Sequence, residues 1–448
     1  MGCSRPLIFS FSSHKEEKEK LPHKKGSKGG SHPLPPPRDL DFSPSDEVAG
    51  HNLTGSRDSL VAAAPPGRSE QNRLSPQHPS FSMARVRGFL FCAKITEMTS
   101  FWDNLPQPFF ILAPMEAVTD VVFRHVVKKA AAPDVFFTEF ANATGWVHAG
   151  DKAIAGRLVK NDDEHPLVAQ IWGGEPGDME QFAAHCAQLG FDGIDINMGC
   201  PAKSAIKSGG AALIRRPDVA VAAIAAAKTA GLPVSVKTRL GYTYIDEWRE
   251  WLSTLLAQNL ANLTIHLRTK KEMSKVPAHY ELIDDIVKLR DEIAPQTLLT
   301  INGDIRDRAH GEELFRAHPG LNGIMIGRGV FSDPFCFRAS RVVPQKKFGQ
   351  LYVGPELFSD GTRETNRKSA PTEETKIAVV DHKQELIKLL NYHLDLFDHY
   401  RPTLGRPFET LKRFFKIYIR GFDGAKELRD QLMNTKNTDE VRQLINSN

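Results

Sequence analysis

Gly193-Ile194-Asp195-Ile196-Asn197-Met198-Gly199-Cys200-Pro201 opens as a short β-branched run and closes on a Gly-Cys-Pro turn. The run reads as a buried strand. Pro201 lacks an amide hydrogen and has a fixed φ, so strand pairing stops there. Cys200 is therefore expected on the loop that leaves the strand's C-terminal end, where α/β proteins carry their chemistry. A lone cysteine is more often a buried filler than a reactive group. Its meaning depends on what else the chain brings to the same rim.

Seven more apolar runs flank this one: Phe109–Met115, Val135–Phe140, Leu167–Trp172, Val234–Arg239, Leu263–Arg268, Thr297–Asn302 and Gly323–Ile326. Helix-period segments lie between most of them. Asp178–Leu189 and Val219–Ala230 are each followed by a glycine, Gly190 and Gly231, where a helix C-cap belongs. Ile245–Gln258 and His279–Ile293 have the same pattern. Eight strand–helix alternations over roughly 220 residues match a (β/α)8 TIM barrel in count and length. The rival is an open doubly wound sheet. It would normally carry Gly-x-Gly-x-x-Gly after the first strand, and that motif is absent.

The flanks read differently. Residues 1–98 are rich in Lys, Ser, Gly and Pro and offer no periodic apolar face, so a disordered extension is expected. Its opening Met1-Gly2-Cys3-Ser4-Arg5-Pro6 fails a myristoylation signal at Pro6. Met83 and Met98 are alternative starts, and the basic, apolar stretch from Met83 to Cys92 leaves organelle targeting open. The expected domains are a barrel over 99–342, a linker over 343–375 and a small all-α domain over 376–448. Glu385–Phe397 and Phe408–Ile419 are its clearest helices. A net charge of only +4 means that any nucleic-acid surface must be local. Five cysteines without a Cys-x-x-Cys pair point to a reducing compartment and no disulfide framework. No cluster has metal-ligand spacing, so no metal is expected. No apolar run reaches membrane length.

A barrel would gather one set of polar strand-end residues: Met115, Glu116, Gln170, Asn197, Cys200, Lys237, Arg239, His266, Arg268, Asn302, Gly303, Asp304, Gly327, Arg328 and Gly329. Singly, each has an ordinary structural reading. Their common placement at C-terminal strand ends is what points to a site. Asn302-Gly303-Asp304 and Gly327-Arg328-Gly329 follow the last two strands, where this fold commonly holds a phosphate. A phosphate handle together with Lys237 suits flavin mononucleotide, the lysine balancing charge on the reduced ring.

With these residues in hand the chain resembles the tRNA-dihydrouridine synthases. The matching segments are Ala113-Pro114-Met115, Thr138-Glu139, Gln170, Asn197-Met198-Gly199-Cys200-Pro201, Lys237-Thr238-Arg239, His266-Leu267-Arg268-Thr269, Asn302-Gly303-Asp304 and Gly327-Arg328-Gly329. The resemblance covers Phe101 to Phe337 strongly and Lys376 to Ile445 more loosely. It implies a barrel holding FMN, NADPH as electron donor, tRNA as substrate and a helical tRNA-binding domain. It implies that Pro114, Met115, Gln170, Lys237, His266, Asn302, Asp304, Gly327 and Arg328 contact FMN, to which position adds Glu116 and Gly303. It implies that Cys200 is the proton donor to uracil C5. Leu267, where the family commonly has glycine, and Met273-Ser274-Lys275 depart from its pattern. Pro114-Met115-Glu116 and Thr138-Glu139-Phe140 resemble more the bacterial subgroup that acts on the 5′ side of the D-loop.

On the substrate side, Asn197, Lys203, Arg239 and Arg268 are expected to meet RNA at the barrel mouth. Lys412, Lys416 and Arg420 are expected to form a basic stripe on one C-terminal helix. A flavin dehydrogenase for a free small molecule, of the dihydroorotate type, explains the barrel but leaves the helical domain without a role. A non-catalytic RNA-binding barrel leaves the cysteine, lysine and histidine set without one. A cytoplasmic monomer is expected.

Overall fold

A computed structural model of the protein describes residues 100–339 and 373–447, with side chains in the second stretch from His382 onward. The extension expected over 1–98 lies outside the described residues, as does nearly all of the linker expected over 343–375.

The strands are β1 (Phe109–Leu112), β2 (Phe136–Phe137), β3 (Ala141–Asn142), β4 (Leu167–Trp172), β5 (Gly193–Asn197), β6 (Val234–Arg239), β7 (Asn262–His266), β8 (Leu298–Asn302) and β9 (Gly323–Ile326). All pair in parallel, in the order β1-β9-β8-β7-β6-β5-β4-β2, and β3 also pairs with β4. The ring closes between β1 and β2. Leu112 N donates to Val135 O at 3.3 Å and Val135 N to Phe110 O at 3.2 Å. Helices cover the outside. The result is the TIM barrel expected from the strand–helix alternation, with β2 and β3 sharing one of eight strand positions.

That split is the main departure from the expected strands. Thr138 N still donates to Val168 O at 3.0 Å, but Gln170 N then bonds to the Thr138 hydroxyl, at 3.0 Å, instead of to its carbonyl. The side chain has taken over a ladder bond, and pairing lapses until Ala141. The first strand also ends at Leu112 rather than Met115, although Ala113 N continues to Ile326 O at 2.9 Å. Pro114 then removes the next donor.

Alternation decides what faces the barrel axis. In β5, Ile194 and Ile196 are buried apolar residues, while Asp195 bonds to the Ser235 and Gln170 side chains of neighbouring strands. Further round, Thr300 Oγ1 donates to Asn262 Oδ1 at 2.7 Å, and Asn262 Nδ2 to Thr264 Oγ1 at 3.1 Å. The barrel is thus lined largely by polar groups that satisfy one another. At its lower end the chain has no room to spare. A Cβ on Gly323 would lie 2.1 Å from the Phe109 ring.

The helical part packs on the barrel flank. Helix Glu373–Leu404 lies against helix Val121–Ala131. Phe123 on the latter stacks on Phe414 with ring centroids 5.0 Å apart. His393 bonds Tyr418 Oη at 2.6 Å, and burial pushes its pKa down to about 3, so it is a neutral core group. The expected helix Phe408–Ile419 is two short turns, Glu409–Lys412 and Phe415–Tyr418. Phe414 N bonds Leu411 O and Ile417 N bonds Phe414 O, which are tighter three-residue steps. Arg413 in the break reaches Ala117 O at 3.1 Å on the barrel.

Arg406 joins the two parts. Its guanidinium pairs with Asp120 at 2.9 Å and with Glu139, which is fully buried. Burial pushes the Glu139 carboxyl up to about 7 against the pull of Arg406. Removing the arginine would leave that carboxylate buried and alone, which costs about 3–5 kcal/mol for such pairs. Arg406→Ala should therefore destabilise the protein by about that much at pH 8. The sign with pH follows from the raised pKa. As pH falls below 7, Glu139 takes up a proton and no longer needs a partner, so the cost should shrink by pH 5. Denaturant unfolding at both pH values checks this; an equal cost at both would mean that the ion pair does not govern the contact.

Candidate active site

The C-terminal ends of β4 to β9 place their polar residues on one rim. Register sets neighbours directly: Asn197 opposite Lys237, Arg239 opposite His266, His266 opposite Asn302, and Asn302 opposite Met325. The expected residues are therefore brought together, including Gly303, Asp304, Gly327 and Arg328 on the loops that follow.

Cys200 sits at the end of a hydrogen-bonded chain that begins on the barrel axis. Ser235 Oγ and Gln170 Nε2 donate to the two oxygens of Asp195, both at 2.6 Å. Asn197 Nδ2 donates to Gln170 Oε1 at 3.0 Å. Asn197 Oδ1 in turn accepts the amides of Gly199 at 3.1 Å and Cys200 at 2.9 Å. The thiol is half-buried, and that burial pushes its pKa up, ahead of an opposing backbone hydrogen bond from Ala202. It is protonated at neutral pH. Asn197, expected to meet the substrate, has both polar atoms engaged in holding this loop.

Arg239 and Arg268 also have a different place from the one expected. Arg239 is buried and donates to the carbonyls of Gly199 at 2.8 Å, Thr269 at 3.1 Å and Met273 at 3.2 Å. It ties the Cys200 loop to the loop after β7. Arg268 is buried and spends its donors on Val276 O, Asp304 and His266 Nε2. An arginine can only donate, so His266 Nε2 accepts and its Nδ1 carries the hydrogen. Burial first, and then Arg239, Lys237, Arg268 and Arg328, hold His266 well below its usual range. It is a neutral donor.

Lys237 has no hydrogen-bond or ion-pair partner among the described residues. Burial lowers its pKa to about 8, so it is a cation at pH 7. Asp304 Oδ1 takes Arg328 Nη2 at 2.7 Å, aiming an otherwise exposed guanidinium. Gly303, at φ +128°, makes a turn that a side chain would block, since a Cβ there would meet Ala278 at 3.1 Å and the His266 ring at 3.3 Å. Asn302 Nδ2 donates to Met325 O at 2.8 Å. Pro114 and Met115 are buried at the end of β1; Glu116 is exposed and paired with Arg157.

Four expected RNA contacts lie on the surface, in different settings. Lys203 is exposed on the short helix Lys203–Ile206 beyond Cys200. Lys412 donates to Met433 O at 3.0 Å and lies over the Phe408 ring, and Arg420 reaches Ser332 O and Phe331 O on the barrel side. Lys416 is exposed. The break at Arg413-Phe414 means that Lys412, Lys416 and Arg420 do not follow one continuous helix. The charged cluster of Glu139, Asp120 and Arg406, of which the sequence marks only Glu139, joins residues up to 267 positions apart and has no local signal.

Residues 111–448 match the family model described as dihydrouridine synthase (Dus). The probable tRNA-dihydrouridine synthase 2 of Bacillus subtilis is 53% identical over 348 residues, covering 77% of this chain and 95% of its own length. The probable tRNA-dihydrouridine synthase of Staphylococcus aureus strain Mu50 is 51% identical, with 77% and 94% covered. The solved structure of a variant of NCR from Zymomonas mobilis is similar at 16% identity and TM-score 0.36, covering 53% of this chain and 89% of its own length. Nothing about function follows from a likeness that distant.

If Asn197 holds the Cys200 loop, Asn197→Ala should free it. Cys186 and Cys336 are buried, and peptide mass spectrometry after timed alkylation resolves the Cys200 peptide from those of Cys3 and Cys92. The variant should alkylate at Cys200 faster by about fivefold or more at pH 7.5, since reactivity follows exposure and thiolate content. An unchanged rate would show that the polar chain does not set the thiol's environment.

Proposed function

The chain belongs to the dihydrouridine synthase family, and from that premise we propose that it reduces the C5=C6 bond of a D-loop uridine in tRNA, with FMN in the barrel mouth and NADPH as electron source. The reading rests on one observation: a protonated thiol, an unpartnered half-buried lysine and a neutral histidine share one rim.

The residues fit a flavin phosphate and ring. The loop hydrogen bonds found among the described residues leave the amides of Gly303, Asp304, Gly327 and Arg328 undonated. Arg328, aimed by Asp304, adds a fork suited to phosphate. Lys237 offers the charge that a reduced ring's anionic edge requires, and His266 Nδ1 offers a neutral hydrogen bond. Asn302, Pro114 and Met115 stand at the same rim, with Glu116 exposed beside them, and Gln170 is fully buried with its side chain bonded to Asp195 and Asn197. FMN, when bound, supplies the electron pair that reaches uracil C6 as hydride.

The chain's own residues then manage the proton. Addition at C6 leaves negative charge shared between C5 and the C4 carbonyl. Cys200 Sγ gives its proton to C5 and becomes a thiolate. Burial disfavours that thiolate at rest, while Arg239 and Lys237 favour it once formed. The target base must leave its stack to reach the thiol. Lys203 at the mouth, and Lys412, Lys416 and Arg420 on the helical part, stand on the RNA side of this reading as phosphate contacts.

The test separates two half-reactions. Cys200→Ala should keep its flavin and still take electrons from NADPH, yet form dihydrouridine slower by about a hundredfold or more, the usual loss with a general acid. Lys237→Ala should lose flavin on gel filtration at pH 7. In the wild-type chain, retention should weaken only as pH rises above about 8, where the lysine loses its proton. Wild-type dihydrouridine yield from the Cys200→Ala protein, or full flavin retention by Lys237→Ala, contradicts these roles.

A further inference from the structure

The loop after β6 displays a tyrosine that the fold itself does not use. Tyr244 is 65% exposed. The loop beneath it is nonetheless fixed. The amides of Tyr242, Thr243 and Tyr244 all donate to the Glu247 carboxylate, at 2.5, 3.1 and 3.0 Å. Burial opposes the charge on Glu247, but these amides outweigh it and hold the carboxyl below its usual range. Gly241 closes the turn, and a Cβ there would lie 2.7 Å from Tyr244 O. A rigid platform for an exposed ring is not what a solvated loop requires.

Cations surround the platform. The Arg215 guanidinium lies 3.9 Å from the Tyr242 ring centroid and donates to Thr243 Oγ1 at 2.9 Å. Lys270 Nζ lies 4.7 Å from that same ring, and Lys271 Nζ lies 5.6 Å from the Tyr244 ring. The backbone zips the two loops together, Lys270 N to Gly241 O at 2.8 Å and Lys271 N to Tyr242 O at 2.9 Å. Arg215, Lys270 and Lys271 make no ion pair among the described residues. The patch adjoins the catalytic rim. Arg215 ends the helical turn Gly210–Arg215, whose Ala211 N bonds Cys200 O at 3.0 Å. Arg239 links Gly199 O to Thr269 O, next to Lys270.

We propose that Tyr244, with Arg215, Lys270 and Lys271, forms a binding site for unpaired RNA beside the catalytic mouth, one base lying on the exposed Tyr244 ring and the flanking phosphates on the lysines. Interleaved rings and cations suit single-stranded nucleic acid, since every base has a stacking face and every phosphate a charge. The proposal rests on tRNA as the substrate and assigns the nucleotides next to the reduced uridine to this loop. A target base turned out of its stack leaves its neighbours in need of new contacts, and Tyr244 supplies one.

The full chain and an unmodified tRNA transcript provide the test, by fluorescence anisotropy across a salt series. Tyr244→Ala should weaken binding by about fivefold or more, with the salt slope unchanged, because stacking releases no counterions. Tyr244→Phe should bind like wild type. The double variant Lys270→Ala/Lys271→Ala should bind about tenfold more weakly, with a slope shallower by about two units. Flavin content and NADPH oxidation without RNA should stay at wild-type values in all three. A wild-type chain that fails to bind the transcript refutes the tRNA reading and this site with it. A wild-type chain that binds, with both alanine variants within twofold of it, refutes this site alone. Equal losses in Tyr244→Ala and Tyr244→Phe would refute the stacking role.

Discussion

Asp195 lies on the barrel axis with both carboxylate oxygens engaged, and its burial raises its pKa to about 6 against the hydrogen bonds from Ser235 and Gln170. A buried polar group of this kind is stable only if every partner is in place. Here the partners form a line. Ser235 and Gln170 hold Asp195, Gln170 holds Asn197, and Asn197 holds the amides that present Cys200. The thiol's position is thus set from inside the barrel and not by the flexible end of a surface loop. Pro201 stops the strand at the point where the chain must turn outward.

The second strand position shows a related trade. Thr138 gives up regular pairing and directs its hydroxyl to Gln170 N, so the rim gains Glu139 in place of a continued strand. That carboxylate then receives Arg406 from the helical part. One irregular strand therefore both supports the polar line through Gln170 and anchors the second half of the molecule. Phe123, Phe331, Phe414 and Arg413 complete the seam. An RNA spanning both parts would meet surfaces held in one fixed relation.

The barrel was legible because its signals are local. β-Branched runs bounded by glycine and proline mark strands, and Gly190 and Gly231 mark helix ends. Lys237, His266, Asn302 and Asp304 were legible as a group because strand ends converge in this fold whatever the loops do. The roles of Arg239 and Arg268 were not. A strand-end arginine looks available in a sequence, and only the folded loops show that carbonyls of Gly199, Thr269 and Val276 have claimed it. The helix expected over Phe408–Ile419 failed for a similar reason: its apolar and basic spacing is sound, but Arg413 and Phe414 are drawn to the barrel. The Tyr244 platform carries no spacing signal, since exposure is a property of the fold.

What sets the proposed activity apart from that of a small-molecule dehydrogenase is reduction of a base held within RNA. Nucleoside mass spectrometry of an unmodified tRNA transcript, after incubation with the flavin-loaded protein and NADPH, addresses it directly. A D-loop uridine should gain two hydrogens, with free uracil and free orotate left unreduced under the same conditions. Reduction of the free pyrimidines at a comparable rate, with the transcript unchanged, would contradict it.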